Sequence, residues 1–557
     1  MQKKPMTRDE ISSLASNAIQ QAVDYIESDL AEDWLKAERY FKGEVDIGHE
    51  QGRSKVVATK CRDTVRAVKP PLVRAFLATD KPVEFIATTP DDVEAAEQAT
   101  AYVRWKFGQQ NGFSIIGDVI QDALVKKAGI AKVWHEESDE TEIDEYTGLT
   151  DDQFAIVAAD DEVEVLEHSA YPEQVEDPNT GQMIEVQLHD AKISKATTRG
   201  EIKMRSVSPE NFFVSADATD VDDAFVIGDR NDTMRVGDLV DMGYSFDEVV
   251  KYAGSVDDAI QSDDDADREA YNTENAGDES SRLVLVTEAY IPVDIERVGS
   301  PQLYRFLCVG SGYHVLDYDL ADDKPYAVFQ VDPEPHQFFG RSLVEVILHD
   351  QDAATAMLRG LLDNTALSNS PPVDVVEDAV DMESVLNNEI GAIRKVQSLD
   401  AIRWNPVPFA AGQTLPAMEF FNEQIKAKTG VSDMASGLDA DVLQNQTATA
   451  VNAMQQAATG QVELMARNLA EGGMRRLFRL MAKLVRQHAD GEVMMRINGA
   501  YAPVDPRSWN TSMDVIANVG IGTGGEVERE MILREVLQHQ MQIWQGYGPQ
   551  NGLVSMT

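Results

Sequence analysis

Apolar and polar positions along the chain follow two rhythms that alternate several times. Over 7–40, Ile11, Leu14, Ala18, Val23, Ile26, Leu30, Trp34 and Leu35 recur at near-helical steps, with one irregular step after Ala18. Side chains three or four residues apart line one face of an α-helix, so this stretch predicts a helical start. Further helices are predicted over 55–77 and 90–110. The second carries the apolar set Val93, Ala96, Ala99 and Val103, and Pro90 suits its first turn. A helix over 113–127 follows, and Gly129 is expected to end it.

From about residue 130 to 339 the rhythm changes to alternation. Ala131 to His135, Glu162 to Val165, Met183 to Leu188, Leu283 to Val286 and Tyr304 to Leu307 read as strands, whose successive side chains point to opposite faces. Asp177-Pro178-Asn179-Thr180-Gly181 is a turn signal between two such runs. Short helices are predicted within this β-rich part at 236–243 and 245–252.

Helical spacing returns at Gly340. Leu343, Val344, Ile347, Leu348, Gln351, Ala354, Leu358, Leu361, Leu362, Thr365 and Ala366 recur at helical steps until Ser370-Pro371-Pro372 stops them. Short strands are predicted at 373–376, 392–396 and 402–404, with Pro406, Pro408 and Gly412 marking the exit. Leu415–Thr429 reads as another helix, with Pro416 tolerated in its first turn. After a connection over 430–446, Val451, Met454, Ala458, Val462, Met465, Leu469, Gly473, Leu477, Leu480 and Leu484 form the most periodic stripe of all. A helix over 447–489 would span roughly 65 Å, an architectural length, with Leu477, Leu480 and Leu484 packed in the core. Gly460 and the Gly472-Gly473 pair are its expected bend points.

Composition narrows the function. A chain of 557 residues, 43% hydrophobic and 26% charged, is long enough for several folded domains. No run of about 18 apolar residues occurs, which argues against export and membrane spanning. Cys61 and Cys308 are too few for a disulfide framework or a cysteine metal site and are expected to be isolated core thiols. The net charge of −47, from 96 acidic and 49 basic residues, would repel free DNA, and no lysine–arginine cluster offers a nucleic-acid footprint. Tight wrapping of DNA is thereby disfavoured, whereas a DNA-facing surface that must not adhere is compatible. Residues 257–281 read as an acidic insertion.

Chemical motifs are sparse. There is no GxxxxGK[ST], and the glycine-rich run from Gly520 to Glu526 lacks the lysine and hydroxyl that would hold phosphates and magnesium. Gly310-Ser311-Gly312 is uninformative, and no GxSxG nucleophile elbow occurs. Nine histidines show no HExxH spacing. His336 reads as a turn or interface residue. His349 and Asp352 share a helix face that could hold a cation, although hydrogen bonding or a subunit contact is the simpler role. Asp263, Asp264, Asp265 and Asp267 lack the spacing of a calcium loop. The chain is therefore expected not to be an enzyme, with no catalytic residue, cofactor or metal ligand assigned.

Several ordered blocks carry a resemblance. They are Phe339 to Leu343, His349 to Asp352 through Arg359 to Asn364, Thr429 to Asp433 through Gly437 to Asp439, Gln446 to Val451, and Asn518 to Gly524. Together they resemble the portal, or head-to-tail connector, protein of short-tailed bacteriophages over roughly 339–528. The resemblance implies an α+β, multidomain viral portal fold with a helical stem, a small clip, a mixed α/β wing and a helical crown. On this sequence it implies a wing over 1–339, helical and then acidic and β-rich, and a first stem helix over 340–369. The clip would occupy 370–412, the second stem helix 413–429, the tunnel-loop region 430–446 and the long wing helix 447–489. A β return over 490–519 and a crown over 520–557, short or incomplete, would follow.

The function implied is a ring, a dodecamer in that family, at a capsid vertex of the virion, assembled in the host cytoplasm. It would conduct double-stranded DNA during packaging and ejection. Implied partners are other copies of the chain, the major capsid and scaffolding proteins, the terminase packaging motor, a tail adaptor and transient channel DNA, with no membrane. Force would come from the motor, consistent with the missing ATP motif. Glu377, Asp378, Asp381 and Glu383 are the clip docking candidates. Asp433, Asp439 and Asp441 would oppose phosphate adhesion, while Gln444, Asn445 and Gln446 could exchange hydrogen bonds with passing DNA. Competing readings are another virion adaptor or internal core protein, and a hydrolase whose residues converge only in the fold.

Overall fold

The computed structural model describes residues 4–517, except 46–47, 49–50, 78–82, 160–162, 177–182, 232, 253–278, 388, 390, 392, 411, 413, 432–459, 490, 498–499 and 511–512, together with Arg534 and Gln538. The fold is mixed, with helices and several small antiparallel sheets, consistent with a multidomain α+β protein. Helix α1 (Arg8–Asp29) opens on a reciprocal cap, in which Glu10 N–H donates to Thr7 Oγ1 and Thr7 N–H to Glu10 Oε2. Leu30 separates it from α2 (Ala31–Lys42), which Gly43 closes in a left-handed conformation. The buried face of α1 is Ile11, Ala15, Ile19, Ala22, Val23 and Ile26. Leu14 and Ala18, in the expected stripe, lie at its margin, because a 3.6-residue period continues from Ile11 through Ala15 and Ile19 without an irregular step.

Next come α3 (Lys60–Leu77), β1 (Val83–Ile86), α4 (Val93–Gln109) and α5 (Gly112–Val125). Gly129 does not end α5. Lys127 takes the left-handed turn instead, and Gly129 begins β2 (Gly129–Thr150), where a Cβ would lie 1.9 Å from the Val119 carbonyl oxygen. The glycine is needed for close passage of strand over helix.

Two sheets dominate the middle of the chain. The first orders β10 (Tyr326–Phe329), β2, β4 (Met183–Val207) and β3 (Val163–Glu176). The second is an antiparallel meander of β5 (Phe212–Val214), β6 (Ile227–Asn231), β7 (Val286–Val293), β8 (Gln302–Val309) and β9 (His314–Leu320). Strands β2 and β4, of 22 and 25 residues, pair from Ile130↔Val207 to Thr150↔Leu188, with a register shift between Tyr146 and Leu149. At about 3.3 Å per residue such strands extend roughly 70 Å, forming a long β arm, and α6 (Asp151–Ala158) follows directly on β2. Only short segments were expected as strands here. Beyond His135 the arm alternates charged residues with little apolar content, so its sequence lacks the half-buried signature. The turn expected at 177–181 lies outside the described residues, as does the acidic insertion up to residue 278.

Buried charge fastens the two sheets together. Asp229 on β6 is 1% exposed and accepts hydrogen bonds from Lys132 Nζ on β2 at 2.6 Å, from Arg205 on β4 and from the Tyr326 hydroxyl on β10. Lys132 also donates to Glu288 Oε2 on β7 at 2.9 Å, and the Tyr290 hydroxyl donates to Glu288 Oε1. Burial pushes the Glu288 carboxyl up, but Lys132, Arg305 and the Tyr290 hydrogen bond outweigh it and hold it down at about 2. The buried lysine is thus compensated by hydrogen-bonded carboxylates, the condition for tolerating charge in a core.

Outside this lock, α7 (Val236–Asp241) and α8 (Phe246–Tyr252) form a small separate core against the meander, close to their expected ranges. Cys61 and Cys308 are buried free thiols, each pushed up to about 12 by burial. Among the described residues no helix is long and apolar enough to cross a membrane.

Candidate functional site

Helix α9 (Leu343–Asn369) starts inside the body, where the Ser342 hydroxyl accepts from Glu345 N–H. All its fully buried residues lie between Leu343 and Thr355. Polar side chains hold this root in place: Gln351 accepts from Cys61 N–H at 2.8 Å and donates to the Tyr40 carbonyl at 3.1 Å, and Thr355 Oγ1 accepts from Ala58 N–H. Asp352 accepts from the Tyr40 hydroxyl, the hydrogen-bonding role expected as the simpler one, and His349 is exposed. Local spacing carries no signal that Gln351 and Thr355, within the apolar stretch of this helix, serve α2 and the segment leading into α3.

Past Thr355 the helix is half-buried or exposed, and its partner runs back beside it. In α11 (Leu415–Thr429) only Ile425 and Thr429, near the C-terminal end, are buried. Lys428 Nζ pairs with Asp350 at 2.6 Å near the body, whereas Asn364 bonds to Pro408 O and Ala410 N near the far end. These contacts fix an antiparallel helix pair that leaves the body. Leu362, Leu367, Leu415 and Phe420 are exposed on it in the single chain.

A small lobe joins the two helices. Strands β11 (Val373–Val375) and β12 (Ile402–Trp404) pair antiparallel, and α10 (Met382–Leu386) lies between them in sequence. Residues 393–395 form no strand, contrary to expectation; Val396 meets Val380 in one isolated bridge, flanked by hydrogen bonds from Asp381 N to Lys395 O and from Gln397 N to Ala379 O. The irregular turns of Glu377–Ala379 and α10 leave too few consecutive extended residues for a third ladder. Glu377, Asp378, Asp381 and Glu383 are all exposed here, with Arg394 stacked over Trp404 at 4.5 Å on the same lobe.

Gly430 caps α11 in a left-handed turn with φ 70°. Asp433, Asp439, Asp441, Gln444, Asn445 and Gln446 lie outside the described residues. The chain is next described at 460–469, a helix that passes through a π turn at Ala470–Met474 into α12 (Arg475–Gln487). The expected long helix is thus interrupted at its Gly472-Gly473 pair, one of the bend points expected from the sequence. A Cβ on Gly473 would lie 2.3 Å from the Phe329 ring, so the aromatic side chain of β10 occupies the space that a regular helix with side chains would fill. Leu477 is buried in the main core and Leu484 packs against it partly buried, while Leu480 is buried beside them on the same helix. Beyond α12, β13 (Val493–Ile497) pairs with β14 (Ala500–Val504), and β15 (Asp514–Ala517) pairs with β1, returning the chain to its N-terminal helices. The glycine-rich run at 520–526 and the expected crown lie outside the described residues, apart from Arg534 and Gln538.

A mixed α/β body that sends out a helix pair with a small lobe between its helices places the protein in the multidomain α+β class. Residues 11–557 match the family described as Phage SU10 portal protein, and the chain belongs to that family. No curated protein matches it.

Proposed function

We propose that the chain is the repeating subunit of a ring, dodecameric by the family resemblance, at one vertex of a phage capsid. Through the ring, double-stranded DNA passes inward during packaging and outward during ejection. Family membership across 11–557 is the observation that carries this reading. The uncovered Leu362, Leu367, Leu415 and Phe420 on the projecting helix pair support it, since neighbouring copies would remove them from water. The chain itself supplies no catalysis in this reading; a separate ATP-driven motor supplies force, and capsid, scaffolding and tail-adaptor proteins meet the ring. Electron microscopy of the purified protein should give closed rings with an axial hole, and native mass spectrometry a single high-order species. A monodisperse monomer at micromolar concentration would refute the assignment.

The exposed lobe at 370–412 is the clip in this reading, and its acids steer the motor or adaptor. Exchanging Glu377, Asp378, Asp381 and Glu383 for Gln and Asn should weaken partner binding in a salt-dependent way, mainly through slower association, while rings still form. Unaltered affinities for both partners, with assembly intact, would remove that role.

The segment 430–446 is the tunnel loop, whose acids keep phosphates from adhering. Changing Asp439 and Asp441 to Lys should strengthen salt-sensitive DNA binding and slow packaging with rings preserved, because each added phosphate contact releases counterions. Equal packaging rates across several salt concentrations would place the loop away from DNA.

A further inference from the structure

At the base of the β arm, His135 and Glu137 stand two residues apart on β2 and so share one face of the strand. His488 meets them from the C-terminal end of α12. The two imidazole rings stack with centroids 3.7 Å apart and planes 14° from parallel, and His135 Nδ1 lies 4.0 Å from Glu137 Oε1. One donor atom from each of the three residues falls within 4.8 Å of the other two. Opposite them, Gly200 pairs with Glu137 across the sheet, and a Cβ there would come within 2.4 Å of His135 Nε2. The missing side chain on β4 is therefore what lets the His135 ring lie where it does.

Chemistry selects the ligand. Two imidazoles and one carboxylate suit a borderline divalent transition ion such as Zn²⁺ or Co²⁺, whereas Mg²⁺ and Ca²⁺ prefer an all-oxygen shell. Metal–nitrogen and metal–oxygen bonds of about 2.0–2.2 Å require the donors somewhat closer together than they stand, and because an imidazole binds a metal in its own plane, the exposed His488 ring must turn out of the stack to bring its nitrogen toward that of His135. The C-terminal end of the α12 dipole adds negative potential on the same side.

We propose that His135, Glu137 and His488 bind one divalent transition-metal ion, which pins the base of the β arm to the end of α12. This is independent of the ring and of the portal role. The full-length protein in its native oligomer, stripped with chelator, is titrated with Co²⁺ and followed by visible absorption, with Zn²⁺ as competitor. Binding should produce d–d bands that Zn²⁺ removes and Mg²⁺ does not. His488→Ala and Glu137→Gln, both at exposed positions, should each weaken Co²⁺ binding by at least about tenfold, since even outer partners of metal ligands are worth that much. Hydrogen exchange around residues 200–204 and 484–488 should slow on Zn²⁺ addition in the unaltered protein only. Absence of the bands from folded protein, or identical titrations for the unaltered and His488→Ala chains, would overturn the site.

Discussion

Replacing Asp229 by alanine is expected to destabilise the fold by about 3–5 kcal/mol, because it strands a buried cation. Lys132, 4% exposed, would keep Glu288 but lose the carboxylate 2.6 Å from its ammonium, and Arg205 and the Tyr326 hydroxyl would lose their shared acceptor. All four groups sit on different strands of the two central sheets, so the damage should appear as separation of one sheet from the other. Urea denaturation followed by tryptophan fluorescence measures the loss. An exposed pair offers the control: Glu334→Ala, which breaks the Arg341–Glu334 pair, should cost no more than about 1 kcal/mol. Equal effects at the two sites would contradict the lock.

The same lock sets a pH dependence. Glu288 is held at about 2, below its ordinary value of 4.5, so folding favours its ionised form. An acid depressed in this way contributes stability that is fully present above the unfolded pKa and is lost as pH falls through the folded one. Stability should therefore decline between about pH 4.5 and about pH 2, and Glu288→Gln should flatten that part of the profile.

Truncation of α12 is the second large effect. Leu477→Ala should cost about 2–5 kcal/mol, because it leaves a cavity in the main core, and Leu480→Ala, at a buried position outside that cluster, should fall toward the lower end of the same range. Leu484 is only partly buried, so its substitution should cost less. The midpoint of chemical denaturation, at unchanged slope, reports these differences. No change for all three would mean that the helix does not pack as described.

The legibility of this fold follows the physics of each element. Leu343–Asn369 and Leu415–Thr429 could be read because apolar spacing and proline punctuation agree with what they bury. The β arm could not, since strands rich in charge on both sides show no apolar face. Nor could the lock: Asp229, Lys132 and Glu288 are ordinary surface residue types until the sheets bring them together. The Gly472-Gly473 pair announced a break in the long helix, but its cause, the ring of Phe329, lies on a distant strand. His135, Glu137 and His488 have no common spacing, because the arm and the helix end meet only in three dimensions. Family membership was readable for a different reason, resting on the order of short blocks rather than on any one residue.

Helix α9 is one 27-residue rod, about 40 Å long, with its first half embedded and its second half outside the core, tied to the segment before α3 through Arg359, which donates to the Val56 and Lys55 carbonyls, and Asp363, which accepts from Ser54 N–H. That makes it a lever with its fulcrum near Thr355. From there to Asn369 the outer arm is about 20 Å, so a tilt of about 3° at the fulcrum moves the far end by about 1 Å. Gln351, bonded to both α2 and the start of α3, stands just inside the fulcrum and resists that tilt. A push on the lobe would thus be felt as torque at the outer ties of Arg359 and Asp363 and at the two hydrogen bonds of Gln351, and Gln351→Leu, which keeps the bulk and removes both of its bonds, would slacken the root of the rod without shortening it.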